Sequence, residues 1–208
     1  MGCMSGEGAG FDFDAVDFVT SDTHFGHARI IELANRPFRD ASEMDEELVR
    51  RWNDTVDPGD VVLHLGDVAL GPIATSLQIT ERLNGRRLLI PGNHDRVSPA
   101  TQTRNGVLRF TPIYETAGWE LLPEIVHGTR HGRALIASHY PYVGDSRSTE
   151  RHRPHRPVDA NGTSLIHGHT HDHERGPGGN QFHVGVDAHA YAPIPFTVID
   201  DWLATRAI

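Results

Sequence analysis

Short apolar runs rich in β-branched residues recur along the chain, and each closes on a polar cluster: "VDFVTSDTHFGH", "DVVLHLGDVAL", "RRLLIPGNHD", "RALIASHYP" and "SLIHGHTH". Runs of this length, bounded by Gly, Pro, Asn and Asp, predict strands that deliver loops at their ends. Helical periodicity lies between them. From Ser42 to Val56, the residues Met44, Leu48, Trp52 and Val56 repeat at every fourth position, and Ser42 with Asp45 suits a capping box. A second helix is predicted over Ile73 to Leu83, with Ile73, Leu77 and Thr80 on one side and Asn84-Gly85 as its stop. The closing runs "QFHVGVDAHAY" and "FTVIDDWL" read as strands without an intervening helix. Strand, loop, helix, strand order followed by strand-like runs predicts an α/β fold with mixed sheets.

A chain of 208 residues can bury a core of its own without covalent staples, and one domain over residues 15–208 is expected. Residues 1–14 read as a flexible, Gly-rich tail. Its start, "MGCMSG", has Gly6 where a myristoylation signal needs Ser or Thr, which argues against a lipid anchor. No internal repeat is present. The segment 144–162, "GDSRSTERHRPHRPVDANG", is polar and poor in apolar residues, and reads as a loop or small lid.

Charge and cysteine content narrow the classes. A formal net charge of -9 opposes loose binding to bulk nucleic acid or anionic membrane, so a phosphate-bearing ligand must be captured locally. Cys3 is the only cysteine, which excludes an intrachain disulfide and a cysteine-based zinc site. No apolar run reaches membrane-spanning length and no signal-peptide pattern opens the chain, so a cytoplasmic location is expected.

The polar clusters at the strand ends carry the chemistry. "SLIHGHTHDHERG" holds His167, His169, His171 and His173, and imidazole and carboxylate are the usual nitrogen and oxygen ligands of catalytic divalent metals. The candidates are Asp22, His24, Asp67, Asn93, His94, His139, His169 and His171. Residues two apart in an extended chain point to one side, so alternation is expected to bring Asp22 with His24, and His169 with His171, to a single ion. Gly26, Gly66, Gly92 and Gly168 permit sharp turns beside them. Singly, each such histidine is more often a hydrogen-bonded or surface residue, but five clusters in order point to one site.

These clusters, "DTH", "GDV", "GNHD", "SHYP" and "GHTH", spread in that order from Asp22 to His171, resemble the calcineurin-like metallophosphoesterase family. "SDTHFGH" and "HLGDVAL" are most similar to its small bacterial and phage-type members. The resemblance implies a four-layer αββα sandwich, two mixed sheets flanked by helices, with a two-metal site on loops at one end. It also implies that Asp22, His24 and His171 hold one metal, that Asn93, His139 and His169 hold the other, and that Asp67 bridges both. His94 would not ligate but would act on the departing oxygen, with Asp95 holding its imidazole in a suitable tautomer. Two divalent cations are implied, Mn2+ first, with Fe, Zn, Ni or Mg as alternatives.

The reaction so implied is hydrolysis of a small phosphoester or nucleotide-like substrate, a phosphodiester in preference, by attack of a metal-bridging hydroxide. The alternatives are a phosphomonoesterase or nucleotide phosphatase with the same site, a non-catalytic interaction protein on the same fold, and a metal-buffering protein. Departures from the family's branches narrow the class. Protein Ser/Thr phosphatases read "GDxxDRG" and "GNHE", whereas this chain has "GDVALGP" and "GNHD" with Leu70 at their aspartate position. Purple acid phosphatases need a tyrosine ligand at that same place, and the repair nucleases carry large capping domains for which this chain has little room.

Other residues receive lesser roles. His27 is a candidate to contact substrate or support a ligand. Arg147, Arg151, Arg153 and Arg156, with His152 and His155, form a basic island, and Arg151 and Arg153 are the expected substrate-binding pair. The competing reading pairs those arginines with carboxylates in a solvated loop. His64 and His167 could support the ligands, His173 reads as solvated, and His127, His131, His183 and His189 read as structural.

Overall fold

The computed structural model describes residues 10–159, 161–174 and 179–206. In chain order it contains β1 (Phe11–Asp12), β2 (Phe18–Thr20), α1 (Ala28–Leu33), α2 (Ala41–Thr55), β3 (Val61–His64), α3 (Ile73–Thr80), β4 (Arg86–Leu89) and α4 (Arg104–Thr116). These are followed by β5 (Trp119–Leu121), β6 (Ile125–Arg130), β7 (Arg133–Ser138), β8 (Ser164–His167), β9 (Gln181–His183), β10 (Ile194–Pro195) and α5 (Thr197–Ala204). Two five-stranded sheets result, ordered β10-β2-β3-β4-β5 and β1-β6-β7-β8-β9. Both are mixed: β10 runs antiparallel to β2, and β6 to β7, while the remaining pairs are parallel. Two mixed sheets with flanking helices are the α/β sandwich expected from the sequence.

Strand alternation divides the core. Val62 and Leu89 join the helix-side cluster of Met44, Leu48, Trp52, Leu77 and Tyr114. Their neighbours Leu63, Leu88 and Ile90 join Val126, Leu135, Ala137, Ile166 and Phe182 in the cluster that unites the two sheets. Neighbouring side chains on a strand point to opposite faces, and both faces are covered, which is why these strands read as continuous apolar runs.

Four local expectations are corrected. The α2 cap is Asp40, whose side chain accepts the Glu43 N–H at 2.9 Å, rather than Ser42. Asp45 instead accepts the Gly26 N–H through both oxygens, at 3.0 and 3.1 Å, and so ties the helix to the loop after β2. α3 ends at Thr80, short of Leu83. "FTVIDDWL" is not a strand: Phe196, Ile199 and Leu203 bury one face at helical spacing, and that packing overrides the β-branched Thr-Val-Ile. The tail expected over 1–14 is shorter, because Phe11–Asp12 pairs with β6 and Phe13 is fully buried. The rest of that expected tail, residues 1–9, lies outside the described residues. Among the described residues, no helix is long and apolar enough to cross a membrane.

Candidate metal centre

The carboxyl ends of parallel strands gather the chemistry at one edge of both sheets, the usual place for ligands in open α/β sheets. The loop after β2 carries Asp22 and His24, β3 leads to Asp67, and β4 to Asn93 and His94. From the second sheet, β7 leads to His139 and β8 to His169 and His171. A parallel bridge between Ser21 and Gly185 joins the two sheets beside the site.

The ligand pairs do not converge by strand alternation. Asp22, His24, Asp67, His169 and His171 all adopt left-handed backbone, with φ of 59°, 54°, 58°, 72° and 56°. Each such residue costs about 1–2 kcal/mol, least for Asp and His, whose short polar side chains suit the conformation. The chain has left the strand before the ligands begin, and repeated left-handed steps aim them instead. Strain of this kind persists only where the surroundings over-determine it.

Two groups of candidate donor atoms share Asp22. Asp22, His24 and His171 offer ligand atoms within 4.8 Å of one another, as do Asp22, Asp67 and His139. His139 Nε2 lies 3.2 Å from Asn93 Oδ1 and 3.2 Å from His169 Nδ1. Asp67 Oδ2 lies 3.5 Å from His24 Nε2 and 3.6 Å from His139 Nε2, so it faces a histidine of each group, while Asp22 belongs to both. Its other oxygen is engaged by the His94 N–H at 2.8 Å, so only Oδ2 faces both.

The residues fit a pair of divalent cations. Asp22 Oδ1 and His24 Nε2 are buried without a hydrogen-bond partner, an arrangement that is costly unless a cation completes it. Each of the four candidate histidines has one ring nitrogen next to another group, which bears on ring orientation. His139 Nδ1 is 2.8 Å from the Leu65 carbonyl and His171 Nδ1 is 2.8 Å from Asp187 Oδ2. His169 Nε2 is 3.2 Å from Asp145 Oδ2, and His24 Nδ1 is 3.3 Å from His27 Nδ1. Burial drives the His24 pKa well down and that of His169 to about 3, which keeps their lone pairs free for a metal. Burial alone would raise Asp22, but His171, His139 and Ser21 hold it well below the usual carboxylate range. His171 goes upward, because Asp187 and Asp22 outweigh its burial, so a cation there would replace a proton.

Close approach explains two glycines. A Cβ at Gly92 would lie 2.3 Å from Asp67 Oδ1, and one at Gly168 would lie 2.4 Å from Asp22 Oδ2.

His94 stands apart from the donors. Its side chain is 40% exposed, its Nε2 is 4.0 Å from Asp67 Oδ2, and it lines a cleft of about 560 Å³ over the centre. His27 and Arg151 line the same cleft, as do Arg29 and Arg147. Ile30, Leu33 and Leu70 add an apolar wall. Arg153 does not reach the cleft; it is 75% exposed, lies 3.4 Å from Glu150 and lines a separate groove with Val158.

Asp95 does not orient the His94 ring. Its carboxylate is fully buried and accepts the N–H groups of Asp67, Val68 and Gly92 at 2.8, 3.1 and 2.8 Å, and the Tyr114 hydroxyl at 3.3 Å. It therefore staples the Asp67 loop to the Asn93 loop. His64 is buried behind the site, with Nε2 3.1 Å from Thr23 Oγ1 and Nδ1 accepting the Gly66 N–H. His167 directs Nδ1 to the Gly168 carbonyl, and its ring sits 5.5 Å from that of His183.

Three residues in this network carry no signal in the sequence reading. Asp187 binds His171 and is clamped by Arg36 at 2.8 and 3.0 Å, while Arg36 also donates to the Asp22 and Thr23 carbonyls. Asp145 plays the corresponding part beside His169. None stands at a motif spacing; only their side-chain neighbours in the fold reveal them.

The chain belongs to the calcineurin-like phosphoesterase superfamily: residues 18–184 match the model of the "Calcineurin-like phosphoesterase superfamily domain". Among its relatives, Gene 66 protein of Mycobacterium phage L5 is 36% identical over 188 residues, covering 82% of this chain and 86% of the relative. Gene 66 protein of Mycobacterium phage D29 is 34% identical over 186 residues, covering 82% and 87%. A protein of unknown function from Aquifex aeolicus shares the fold, with a TM-score of 0.63 at 24% identity over 88% of this chain and 97% of the other.

Proposed function

We propose that the protein is a dinuclear metal-dependent phosphohydrolase that acts on small phosphodiesters in the cytoplasm, with manganese as the working metal. One observation carries the reading: Asp67 Oδ2 lies 3.5 and 3.6 Å from two donor groups, with His94 free in the cleft above it. Asp22, His24 and His171 would hold one cation, Asn93, His139 and His169 the other, and Asp67 would bridge them. When bound, such a pair polarises a phosphoryl oxygen and lowers the pKa of water toward neutrality.

The protein's own groups do the rest. His94 is placed to protonate or stabilise the departing oxygen, because its Nε2 takes no part in the donor groups. Asp95 keeps the Asp67 and Asn93 loops in register. Arg147 and Arg151 offer charge to the substrate's anion, while Ile30, Leu33 and Leu70 offer an apolar surface to an organic substituent. A cleft with both kinds of wall suits a diester, which carries two substituents on one phosphate.

The test is a panel of phosphodiesters and phosphomonoesters given to chelator-stripped protein with and without Mn2+. Hydrolysis that depends on added metal and favours diesters is the expected result. Full activity after verified stripping would overturn the metal dependence, and a preference for monoesters would overturn the diester assignment.

A further inference from the structure

We propose that Asp145 is a positioning residue for His169, through which the 144–156 segment sets the affinity of one of the two cation positions. The inference rests on the two-cation reading of the centre. Asp145 comes from the polar segment after β7, yet its side chain is fully buried. Its Oδ2 lies 3.2 Å from His169 Nε2, the nitrogen left over when Nδ1 turns to His139. The contact is an ion-pair distance and not an aligned hydrogen bond, and His169 Nε2 has no hydrogen-bond partner among the described residues, so the buried carboxylate acts by its charge: it favours the proton on Nε2 and leaves the Nδ1 lone pair for the cation.

The carboxylate is held in turn by its own segment. Arg151 donates its N–H to Oδ2 at 2.8 Å, and its guanidinium to Oδ1 at 3.0 and 2.7 Å. Arg156 donates to Oδ2 at 2.8 Å, and also to the Gly144 and Arg151 carbonyls at 2.7 and 2.9 Å. The segment thus closes on Asp145 as its hub. Arg151 also lines the cleft, so a substrate anion and the Asp145 carboxylate share one guanidinium. Part of the basic island therefore serves the metal centre through a carboxylate.

Asp187 provides an internal reference, since it too sets a buried carboxylate beside a histidine of the centre, there as a 2.8 Å hydrogen bond to His171 Nδ1 and here as a 3.2 Å charge contact to His169 Nε2. Removing either carboxylate should weaken only the cation that its histidine holds.

The experiment is calorimetric titration of Mn2+ into the chelator-stripped full-length protein and its variants. Wild type should take up two ions. Asp145→Asn should weaken one by about 10–100-fold and leave the other within about twofold, the range seen when the partner of a ligating histidine is lost. Asp187→Asn should weaken the other ion, and the double variant both. Arg156→Ala, which leaves the carboxylate and Arg151 in place, should weaken the same position as Asp145→Asn by a smaller factor, and serves if Asp145→Asn fails to fold. Imidazole 15N spectra of the zinc-loaded protein should show His169 protonated at Nε2 in wild type and altered in Asp145→Asn. Uptake of fewer than two ions by wild type, unchanged affinities in Asp145→Asn, or equal weakening of both positions would overturn the proposal. Selective weakening in a protein that hydrolyses no ester would overturn the hydrolase reading while upholding the role of Asp145.

Discussion

Asp187 Oδ2 lies 2.8 Å from His171 Nδ1, while the opposite nitrogen of that ring faces Asp22 Oδ1 at 3.8 Å. The same carboxylate is paired with a fully buried Arg36, so the orientation of the His171 ring and a core ion pair depend on one side chain. Asp187→Ala would strand the Arg36 guanidinium without its counter-charge. Loss of one partner of a buried pair costs about 3–5 kcal/mol, which lowers the melting temperature by roughly 6–20 °C in a chain of this size. Thermal melts of the metal-stripped protein check this; a shift under about 2 °C would sink it.

Asp67→Asn tests the bridge. Only Oδ2 faces both donor groups, and the other oxygen is engaged by the His94 N–H at 2.8 Å. The amide removes the charge that offsets repulsion between two cations, so both ions should bind more weakly and turnover should fall by more than about 10²-fold. Loss of a single ion, with the other unchanged, would contradict a bridging role.

For His94→Ala, two ions should remain bound while turnover slows by about 10²–10⁴-fold, the range for a positioned proton donor. The defect should shrink for nitrophenyl esters, whose leaving group departs without help, and stay large for alkyl or nucleoside leaving groups. Rates for both ester classes, measured beside metal content on one preparation, decide it. A defect independent of leaving-group pKa contradicts the role.

Gly92→Ala should disturb the centre by crowding the Asp67 carboxylate and the His139 ring. The new Cβ would fall 2.3 Å from Asp67 Oδ1 and 2.6 Å from Asp67 N. The Asp67 backbone nitrogen and the buried Asp67 and His139 side chains all lie within 2.8 Å of that Cβ and leave little room to retreat, so the variant should lose about 1–3 kcal/mol of stability and weaken metal uptake. Wild-type metal isotherms from this variant would refute the close approach.

Two arginines of the basic island should behave differently. Arg147 lines the cleft over the centre and Arg153 lines another groove. Arg147→Ala should raise KM about two- to fivefold for diesters with a second anionic group, the scale of an exposed charge contact, and Arg153→Ala should leave KM unchanged. Equal effects from the two would remove Arg147 from the substrate's path.

The strand runs, the α2 stripe of Met44, Leu48 and Trp52 and the candidate donors that cluster between Asp22 and His171 were legible in the sequence, because local periodicity and residue type encode them. A strand that is buried on both faces must be apolar, and a metal needs donors of a narrow chemical kind. What only the tertiary structure decided was how those donors are aimed and held. The left-handed backbone at Asp22, His24, Asp67, His169 and His171 replaces the alternation that spacing suggested. Asp95 staples two loops where sequence adjacency had put it beside the His94 ring. Asp145 and Asp187 lie against histidines that are 24 and 16 residues away in the chain. The helix α5 hides in a β-branched run for a related reason, since it packs into a cluster with Phe13 and Phe182, which are distant in sequence. Periodicity reports what a residue does to its own element, whereas the orientation of a buried charge or ring is set by whichever side chains the fold brings against it.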